Sequence, residues 1–440
     1  MISIEELYAL YKRCSGVSTD TRTIQEGSMF FALKGERFDG NEYALDALKA
    51  GARYAVVDRV TLEGTTFRNG KCIVVENVLA TLQKLAHYHR MQFDIPVVGI
   101  TGTNGKTTTK ELVSAVLAST YKVVYTSGNF NNFIGVPLTL LRIGEETQLA
   151  VVEMGASAPG EIAHLAEIVA PTCGIVTNVG KAHLLGFGSF EGVKRTKGEL
   201  YDYLRQSGGT VFFNADNPHL ASMVERRKGL VARPYGVKYQ GAGIEVPSIE
   251  NPFLTVETEV DGKSVKIQTK LVGSYNADNV MAALAISGFF KVPVKRAVAA
   301  IEKYQPSNNR SQFVKTEKNV VIVDAYNANP TSMAAALGNF KTIDFENKTL
   351  ILGDMLELGE SSVDEHVAVL REALSITNRI FLVGEQFRLA SKAAGVSSSV
   401  NCFPTSDELR SCLEESPLTG CTILVKGSNG THLQEIAAVL

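Results

Sequence analysis

Short apolar segments alternate with amphipathic helical segments along most of the 440-residue chain. The segments "PVVGIT", "LAVVEMGA", "CGIVTNVG" and "GTVFFNAD" are separated by helical stretches such as "FEGVKRTKGELYDYLRQ". Strands that are β-branched and apolar on both faces are typical of parallel sheets covered by helices on both sides. The alternation therefore predicts an α/β fold built on parallel sheets.

Two interruptions of this pattern divide the chain into predicted domains. The segment "PFLTVETEVDGKSVKIQTKL" contains two alternating runs joined by Asp261-Gly262, which predicts an antiparallel hairpin appended to the parallel sheet. The polar, turn-rich "QPSNNRSQ" at 305–312 predicts a linker, because the strand and helix alternation restarts after it. We therefore expect three domains: a small α/β domain at 1–90, a central parallel-sheet domain with the antiparallel flap at 91–308, and a Rossmann-like domain at 309–440.

Composition excludes several classes of protein. The net charge of −2 and the pI near 6.4 give no electrostatic basis for binding nucleic acid or an anionic membrane. The six cysteines contain no C-x-x-C pair, which argues against a zinc site and a disulfide framework. The N-terminus lacks the apolar core of a signal peptide, and no apolar run is long enough to span a bilayer. We expect a cytoplasmic protein without membrane insertion, and we expect a monomer because nothing in the sequence indicates an obligate assembly.

The stretch "GITGTNGKTTTK", residues 99–110, has the composition of a phosphate-binding loop. A glycine-rich turn between a strand and a helix exposes backbone N–H groups and the positive end of the helix dipole. Lys106 is placed to reach the outer phosphates of a nucleotide, and the Thr107 hydroxyl to ligate Mg²⁺. The spacing G-x-x-G-K-T is shorter than the common G-x-x-x-x-G-K-[ST] pattern, so the prediction also depends on the flanking strand and helix.

Three further residues are candidates by position. Glu153 ends the strand "LAVVEM", and the carboxyl ends of parallel strands deliver side chains to the ligand crevice. His183 follows another strand, although a lone histidine is more often structural. Lys197 lies among basic residues on a helix, where a solvated position is the simpler interpretation. Individually, none of the three identifies a chemistry.

Taken together, these segments resemble the Mur ligases, ATP-dependent enzymes that add amino acids to the cytoplasmic precursor of bacterial peptidoglycan. The short "GTNGKTT" loop is similar to that family's own phosphate loop, and "TNVGKAHLLGFGS", "KGEL", "GSYNADNVMAALA" and "VKGSN" follow in the family's order. The segments "YNANP" and "GDMLELG" resemble the branch that adds D-alanyl-D-alanine. The chain lacks the "DNPR" motif typical of the branch that adds the third residue. The resemblance covers essentially the whole chain.

The resemblance implies ATP and Mg²⁺ as cofactors and assigns residues to them. The phosphates would be cradled by Gly102, Thr103, Asn104, Gly105, Lys106, Thr107 and Thr108. The remaining nucleotide contacts would be Asn276 and Asn279 at the adenine, Arg310 at the γ-phosphate and Asp324 at the ribose. The metal ligands would be Thr107 and Glu153 for one Mg²⁺, with His183 and Lys197 serving a second, Lys197 as a carbamate. Lys106, His183, Lys197 and Arg310 would carry the catalytic roles.

The resemblance also implies how the other substrates bind. Thr21 and Arg22 would lie near the UDP end of UDP-N-acetylmuramoyl-tripeptide, in a UDP-binding domain at 1–90. The other substrate-binding candidates are Asn131, Asn132, Tyr326, Asn327 and Asn329. Asn327 and Asn329 would position D-alanyl-D-alanine in the domain at 309–440, which would swing on the 305–312 linker to close the site.

The implied reaction is amide ligation. The γ-phosphoryl of ATP would be transferred to the terminal carboxylate of the tripeptide, and the amine of D-alanyl-D-alanine would displace phosphate from the resulting acyl phosphate. Two alternatives remain open from the sequence. A related ligase, either folylpolyglutamate synthase-like or adding the third residue, would share the ATP chemistry, and a nucleotide-dependent switch would share only the loop. The sequence leaves open whether the third residue is diaminopimelate or lysine.

Overall fold

The computed structural model describes residues 2–59, 70–248, 251–260, 262–306 and 310–440. The first unit contains β1 (Val17–Ser18), β2 (Met29–Phe31), β3 (Lys34–Gly35), β4 (Phe38–Asp39), β5 (Tyr54–Val57), β6 (Cys72–Val74), α1 (Ile4–Tyr11), α2 (Ala44–Lys49) and α3 (Val78–Arg90). Strands β1-β2-β5-β6 form a parallel sheet in that order, and β3 and β4 form a small hairpin.

The central unit is a six-stranded parallel sheet with helices on both faces. Its strands are β7 (Val97–Thr101), β8 (Val123–Tyr125), β9 (Leu149–Glu153), β10 (Cys173–Val176), β11 (Thr210–Asn214) and β12 (Val231–Tyr235). Its helices are α4 (Lys106–Ala118), α5 (Gly135–Leu140), α6 (Glu161–Val169), α7 (Leu184–Phe187), α8 (Phe190–Ser207) and α9 (Pro218–Glu225). The strand order β12-β11-β10-β7-β9-β8 places β7 between β9 and β10, so the loops that follow these three strands lie side by side.

An antiparallel flap follows the parallel sheet. It contains β13 (Gly243–Ile244), β14 (Phe253–Val260) and β15 (Lys263–Val272), and the pairing of Val260 with Lys263 closes the predicted hairpin. Asp261, the first residue of the predicted turn, lies outside the described residues. Helices α10 (Ala277–Phe289) and α11 (Val294–Lys303) then pack against α4.

The C-terminal unit is a second six-stranded sheet. Its strands are β16 (Gln312–Lys315), β17 (Val320–Asp324), β18 (Lys348–Gly353), β19 (Ile380–Val383), β20 (Asn401–Phe403) and β21 (Thr422–Lys426). Its helices are α12 (Pro330–Thr342), α13 (Ser362–Leu374), α14 (Glu385–Ala393) and α15 (Ser406–Glu415). The order is β16-β17-β21-β18-β19-β20, parallel except for the edge strand β16. Residues 307–309 of the predicted 305–312 linker lie outside the described residues. Strand β16 starts at Gln312, the last residue of the predicted linker.

The buried side chains form several clusters that follow the two faces of each large sheet. One cluster is continuous between the first unit and the central unit, joining Leu7, Met29 and Leu82 to Val97 and Val152. A second lies on the other face of the central sheet under α4 and α10. The C-terminal sheet has a separate cluster on each face. Within the described part of the chain, no helix is both long and apolar enough to cross a membrane.

Candidate active site

The phosphate loop connects β7 to α4, and its two glycines are required by its shape. Gly102 has φ of 145° and Gly105 has φ of 76°, a region that side-chain-bearing residues rarely adopt. A Cβ on Gly102 would lie 2.0 Å from Thr177 Oγ1, and one on Gly105 would lie 2.7 Å from Asn279 Oδ1. The short spacing of this loop therefore matches a turn that is packed tightly between β10 and α10.

Lys106 opens helix α4 and folds back over the loop. Its Nζ donates to the carbonyl oxygens of Gly102 and Thr103, both at 2.8 Å. Burial lowers the pKa of Lys106 to about 8; Glu153 opposes this shift, and the nearby Arg310 adds to it. The ammonium therefore remains mostly charged at neutral pH, as a phosphate-binding lysine requires.

Thr107 and Glu153 meet behind the phosphate loop. The Thr107 hydroxyl donates to Glu153 Oε1 at 3.1 Å, and Asn131 Nδ2 donates to the same oxygen at 2.8 Å. Glu153 is 1% exposed, and its buried Oε2 atom has no hydrogen-bond partner among the described residues. A buried carboxylate oxygen without a donor fits a cation, so this pair satisfies the chemistry expected of a Mg²⁺ site. No group of three or more His, Cys, Asp or Glu side chains suited to a metal occurs in the described ranges.

Lys197 lies in α8 and is 2% exposed. Its Nζ lies 5.4 Å from the centroid of the Phe187 ring, and no hydrogen-bond or ion-pair partner for it lies in the described part of the chain. Burial lowers the pKa of Lys197 to about 7, and the charge of Lys106 adds to this shift. The solvated alternative is therefore wrong for this lysine, and a large fraction of its amine is neutral at pH 7.

His183 precedes α7 in a left-handed conformation with φ of 49°. Its Nδ1 contacts Glu357 Oε2, and Glu357 also has a left-handed backbone, with φ of 65°. Burial lowers the pKa of His183, and the Glu357 carboxylate opposes that shift. The contact joins the central unit to the loop after β18, and sequence reasoning missed Glu357 because this contact depends on how two units pack.

The two predicted adenine residues form a chain of hydrogen bonds to the phosphate-loop helix. The Thr109 hydroxyl donates to Asn279 Oδ1 at 2.9 Å, and Asn279 Nδ2 donates to Asn276 Oδ1 at 2.8 Å. Asn276 Nδ2 in turn donates to the Val272 carbonyl at 2.8 Å. These contacts fix both asparagines relative to α4, and Thr109 is a positioning residue that the motif alone did not reveal.

Arg310 and Asp324 are held by partners in the C-terminal unit. The Arg310 guanidinium stacks on the Tyr326 ring, 3.6 Å from its centroid, and its buried Nε has no hydrogen-bond partner in the part of the chain that the structure describes. Asp324 Oδ2 accepts from Lys426 Nζ at 2.6 Å, and Lys426 is 1% exposed. The "VKGSN" segment was part of the predicted pattern, but the role of its lysine was not predicted.

A cavity of about 630 Å³ brings most of the predicted residues together, and this volume is typical of a small-molecule site. Its walls include Thr103, Asn104, Gly105, Lys106, Thr107, Thr108, Asn131, Asn132, Glu153, His183, Asn276, Asn279, Arg310, Asp324, Tyr326, Asn327 and Asn329. Gly102 and Lys197 are not among the residues that line it. The cavity therefore lies between the central and C-terminal units, which are in contact around it.

Thr21 and Arg22 lie apart from this cavity. They belong to a short 3₁₀ turn, Thr21–Thr23, in which exposed Arg22 pairs with Asp20 at 2.6 Å. A second cavity of about 780 Å³ lies between the first and central units, and Thr23 and Arg142 are among its lining residues. Thr21 and Arg22 line neither cavity, so their predicted contact with UDP stays a prediction.

Each of the three units matches a known protein-family domain. Residues 13–91 match the "Mur ligase family, catalytic domain", 100–287 the "Mur ligase middle domain" and 309–429 the "Mur ligase, glutamate ligase domain". The UDP-N-acetylmuramoyl-tripeptide–D-alanyl-D-alanine ligase of Bacillus subtilis is 33% identical over 96% of this chain and 92% of its own length. The chain belongs to the Mur ligase family. The ligase of that name from Escherichia coli is 34% identical to this Mur ligase over 96% of the chain and 93% of its own length.

Solved structures agree with the architecture of this Mur ligase. A crystal structure of MurF from Acinetobacter baumannii superposes with a TM-score of 0.86 at 28% identity, covering 99% of this chain and 98% of that one. MurF from Thermotoga maritima in complex with ADP gives a TM-score of 0.83 at 24% identity, covering 96% of each chain. The predicted three-domain α/β fold is therefore confirmed.

Proposed function

We propose that this Mur ligase joins D-alanyl-D-alanine to UDP-N-acetylmuramoyl-tripeptide with hydrolysis of ATP, giving the pentapeptide precursor of peptidoglycan. The observation that carries the proposal is that one cavity is lined both by the phosphate loop and by Tyr326 and Asn327 of the C-terminal unit. An enzyme that activates a carboxylate with ATP and then admits an amine needs the phosphate and the amine sites to share one space. The names of the Bacillus subtilis and Escherichia coli relatives support the same substrates.

The first chemical step is transfer of the γ-phosphoryl group to the tripeptide carboxylate, which converts a poor electrophile into an acyl phosphate. Lys106 and Arg310 supply positive charge on two sides of the cavity, from α4 and from the segment before β16. Charge of this kind stabilises the oxygens of a phosphoryl group during in-line transfer. The amine of D-alanyl-D-alanine then attacks the carbonyl carbon, and phosphate leaves.

Thr107 and Glu153 would hold Mg²⁺, which supplies charge neutralisation between the donor and acceptor oxygens. The unpartnered Glu153 Oε2 supports this assignment. Asn131, which donates to the other carboxylate oxygen, orients Glu153 for that role.

His183 and Lys197 would serve a second Mg²⁺ if Lys197 carries a carbamate. The neutral amine of Lys197 attacks the carbon of CO₂; an N–C bond forms, a C=O electron pair moves to oxygen, and the amine loses a proton to solvent. The low pKa of Lys197 supports this step, because only a neutral amine is nucleophilic. The contact with Glu357 uses His183 Nδ1, so Nε2 would be the nitrogen available to ligate the metal.

The remaining nucleotide and substrate roles are those that the resemblance implies; Asn131, Asn132, Asn276, Asn279 and Asp324 line the cavity, whereas Thr21 and Arg22 do not. We assign Asn276 and Asn279 to the adenine, Asp324 to the ribose, Asn131 and Asn132 to the tripeptide, and Thr21 and Arg22 to the UDP end. Closure on the 305–312 linker would bring the dipeptide to the acyl phosphate, and we propose that the enzyme acts as a cytoplasmic monomer.

Phosphate release tests the proposal directly. The ligase requires ATP, UDP-tripeptide and D-alanyl-D-alanine together, and mass spectrometry of the product must show the added dipeptide. L-alanyl-L-alanine serves as the matched control amine, and lysine and diaminopimelate test for addition of the third residue to the dipeptide precursor. Slow phosphate release that neither peptide substrate stimulates would instead identify a nucleotide-dependent switch and refute the proposal.

A further inference from the structure

Asn329 starts helix α12, and most of its side chain is occupied by protein contacts. Its Oδ1 accepts the Ser332 N–H at 2.9 Å, the N-cap bond of the helix, and the Asn104 Nδ2 at 3.3 Å. Its Nδ2 donates to Asn104 Oδ1 at 2.7 Å. Three of the four hydrogen-bonding positions of this amide are therefore taken, and the residue is only 7% exposed.

The backbone fixes the direction of the amide pair. Because the Ser332 N–H can only donate, it requires the oxygen of Asn329 on the helix side. The Asn329 nitrogen must then face Asn104, whose own oxygen accepts from it. The pair is therefore a reciprocal bond between the phosphate loop and the start of α12.

Asn104 is itself held firmly in the phosphate loop. Its N–H donates to Asn178 Oδ1 at 2.8 Å, and its carbonyl accepts from Thr177 Oγ1 at 2.6 Å. These two bonds hold the backbone of Asn104, and its side-chain amide extends from that fixed position to Asn329. The amide pair therefore links a firmly held residue of the phosphate loop to the start of α12.

We propose that Asn329 is a positioning residue that couples the phosphate loop to the dipeptide site, rather than a direct ligand of the dipeptide. This inference rests on the proposed function. Through the amide pair, the loop sets the position of the α12 start and so of Tyr326 and Asn327, which lie just before it on the cavity wall. A substitution in the phosphate loop at Asn104 therefore weakens dipeptide recognition.

A second contact between the same two units provides a matched control. Lys181 Nζ pairs with Glu365 at 2.5 Å, and its side chain is 54% exposed. Neither side chain of this pair lines the cavity, and the Lys181 N–H, which donates to the cavity residue Thr331 at 3.2 Å, is retained in a side-chain variant. Lys181→Met removes an ion pair whose lysine is exposed and whose Glu365 side chain is 16% exposed, and an ion pair open to solvent on one side contributes little.

The test is a double-mutant cycle on the KM for D-alanyl-D-alanine at saturating ATP and UDP-tripeptide. Asn329→Ser retains a helix-capping hydroxyl but loses the amide pair. Asn104→Ala loses the same pair from the other side. We expect each variant to raise the dipeptide KM about tenfold, the double variant to raise it no further, and Lys181→Met to stay within about twofold.

A direct contact between Asn329 and the dipeptide gives a different pattern. The dipeptide KM would then rise in Asn329→Ser and remain at the wild-type value in Asn104→Ala, or the two effects would multiply; either result overturns the inference. Turnover of the wild-type enzyme with both substrates is measured first. An inactive wild type contradicts the proposed function, whereas an active wild type with an additive cycle contradicts only the coupling role. Thermal unfolding of each variant identifies any that fail to fold.

Discussion

Replacing Lys197 by methionine should make the protein more stable and inactive at the same time. The side chain is 2% exposed, and its amine has no carboxylate partner in the described part of the chain. Burial shifts its pKa from 10.5 to about 7. Methionine fills a similar volume without a charge, so Lys197→Met removes the cost of burying the amine but also removes the site of carbamate formation.

The magnitude follows from the difference in pKa between the folded and unfolded chain. Each pKa unit corresponds to about 1.4 kcal/mol, so at pH 7 a shift of this size costs about 4 kcal/mol of stability. The folded pKa is lower than the unfolded one, so the unfolded chain binds more protons between about pH 7 and 10.5. Wild-type stability therefore rises with pH across this window. The advantage of Lys197→Met should shrink to about 2 kcal/mol at pH 9.

Urea unfolding at pH 7 and pH 9, in buffers stripped of CO₂, measures both values. Exposed Arg195 lies on the same helix, and Arg195→Met is the control, with little change expected at either pH. Added bicarbonate should stabilise the wild type by forming the carbamate, and should leave Lys197→Met unchanged. A variant that is no more stable than the wild type at pH 7, or a gain that persists unchanged at pH 9, would refute the reasoning.

Three further predictions concern the walls of the site. Gly102→Ala places a Cβ 2.0 Å from Thr177 Oγ1, so we expect nucleotide affinity, measured by calorimetry, to fall at least about tenfold; unchanged affinity would show that the loop can open. Glu153→Gln removes the negative charge of the carboxylate whose Oε2 lacks a described partner, and the Mg²⁺ concentration for half-maximal activity should rise about tenfold. An unchanged Mg²⁺ midpoint would argue against Glu153 as a ligand. Lys426→Met leaves the Ser311 N–H as the one donor to Asp324 among the described residues, which should cost about 3 kcal/mol in urea unfolding, and adding Asp324→Asn should recover most of this loss.

The position of Glu153 at a strand end indicated from the sequence that its side chain reaches the ligand crevice. The resemblance paired it with the distant Thr107, and the two meet in the structure because β7 and β9 are adjacent parallel strands that end at the same edge. The phosphate loop and the hairpin were likewise predictable, since local turn chemistry determines both. The domain limits at 90 and 308 and the roles of the site residues stay predictions.

The contacts between units were not predictable, because periodicity carries no information about how separate sheets pack. The pairing of Glu357 with His183 and of Asn104 with Asn329 depends on that packing. The two-residue strand β1 and the edge strands β12 and β20 were also missed, since their apolar runs are too short or too exposed to show a clear alternation. The burial of Lys197 was obscured by the basic residues around it on α8.

The continuous apolar cluster beneath the first and central units determines how this enzyme can be divided. Because Leu7, Met29 and Leu82 pack with Val97 and Val152, limited proteolysis or truncation before residue 91 would expose the underside of the central sheet. The C-terminal sheet carries its own interior on both faces and shares with the flap mainly Val272 and Phe253. A chimera that exchanges the C-terminal unit between relatives should therefore fold. A chimera that exchanges the first unit should fold only if the helices of the central unit that pack against it are exchanged as well.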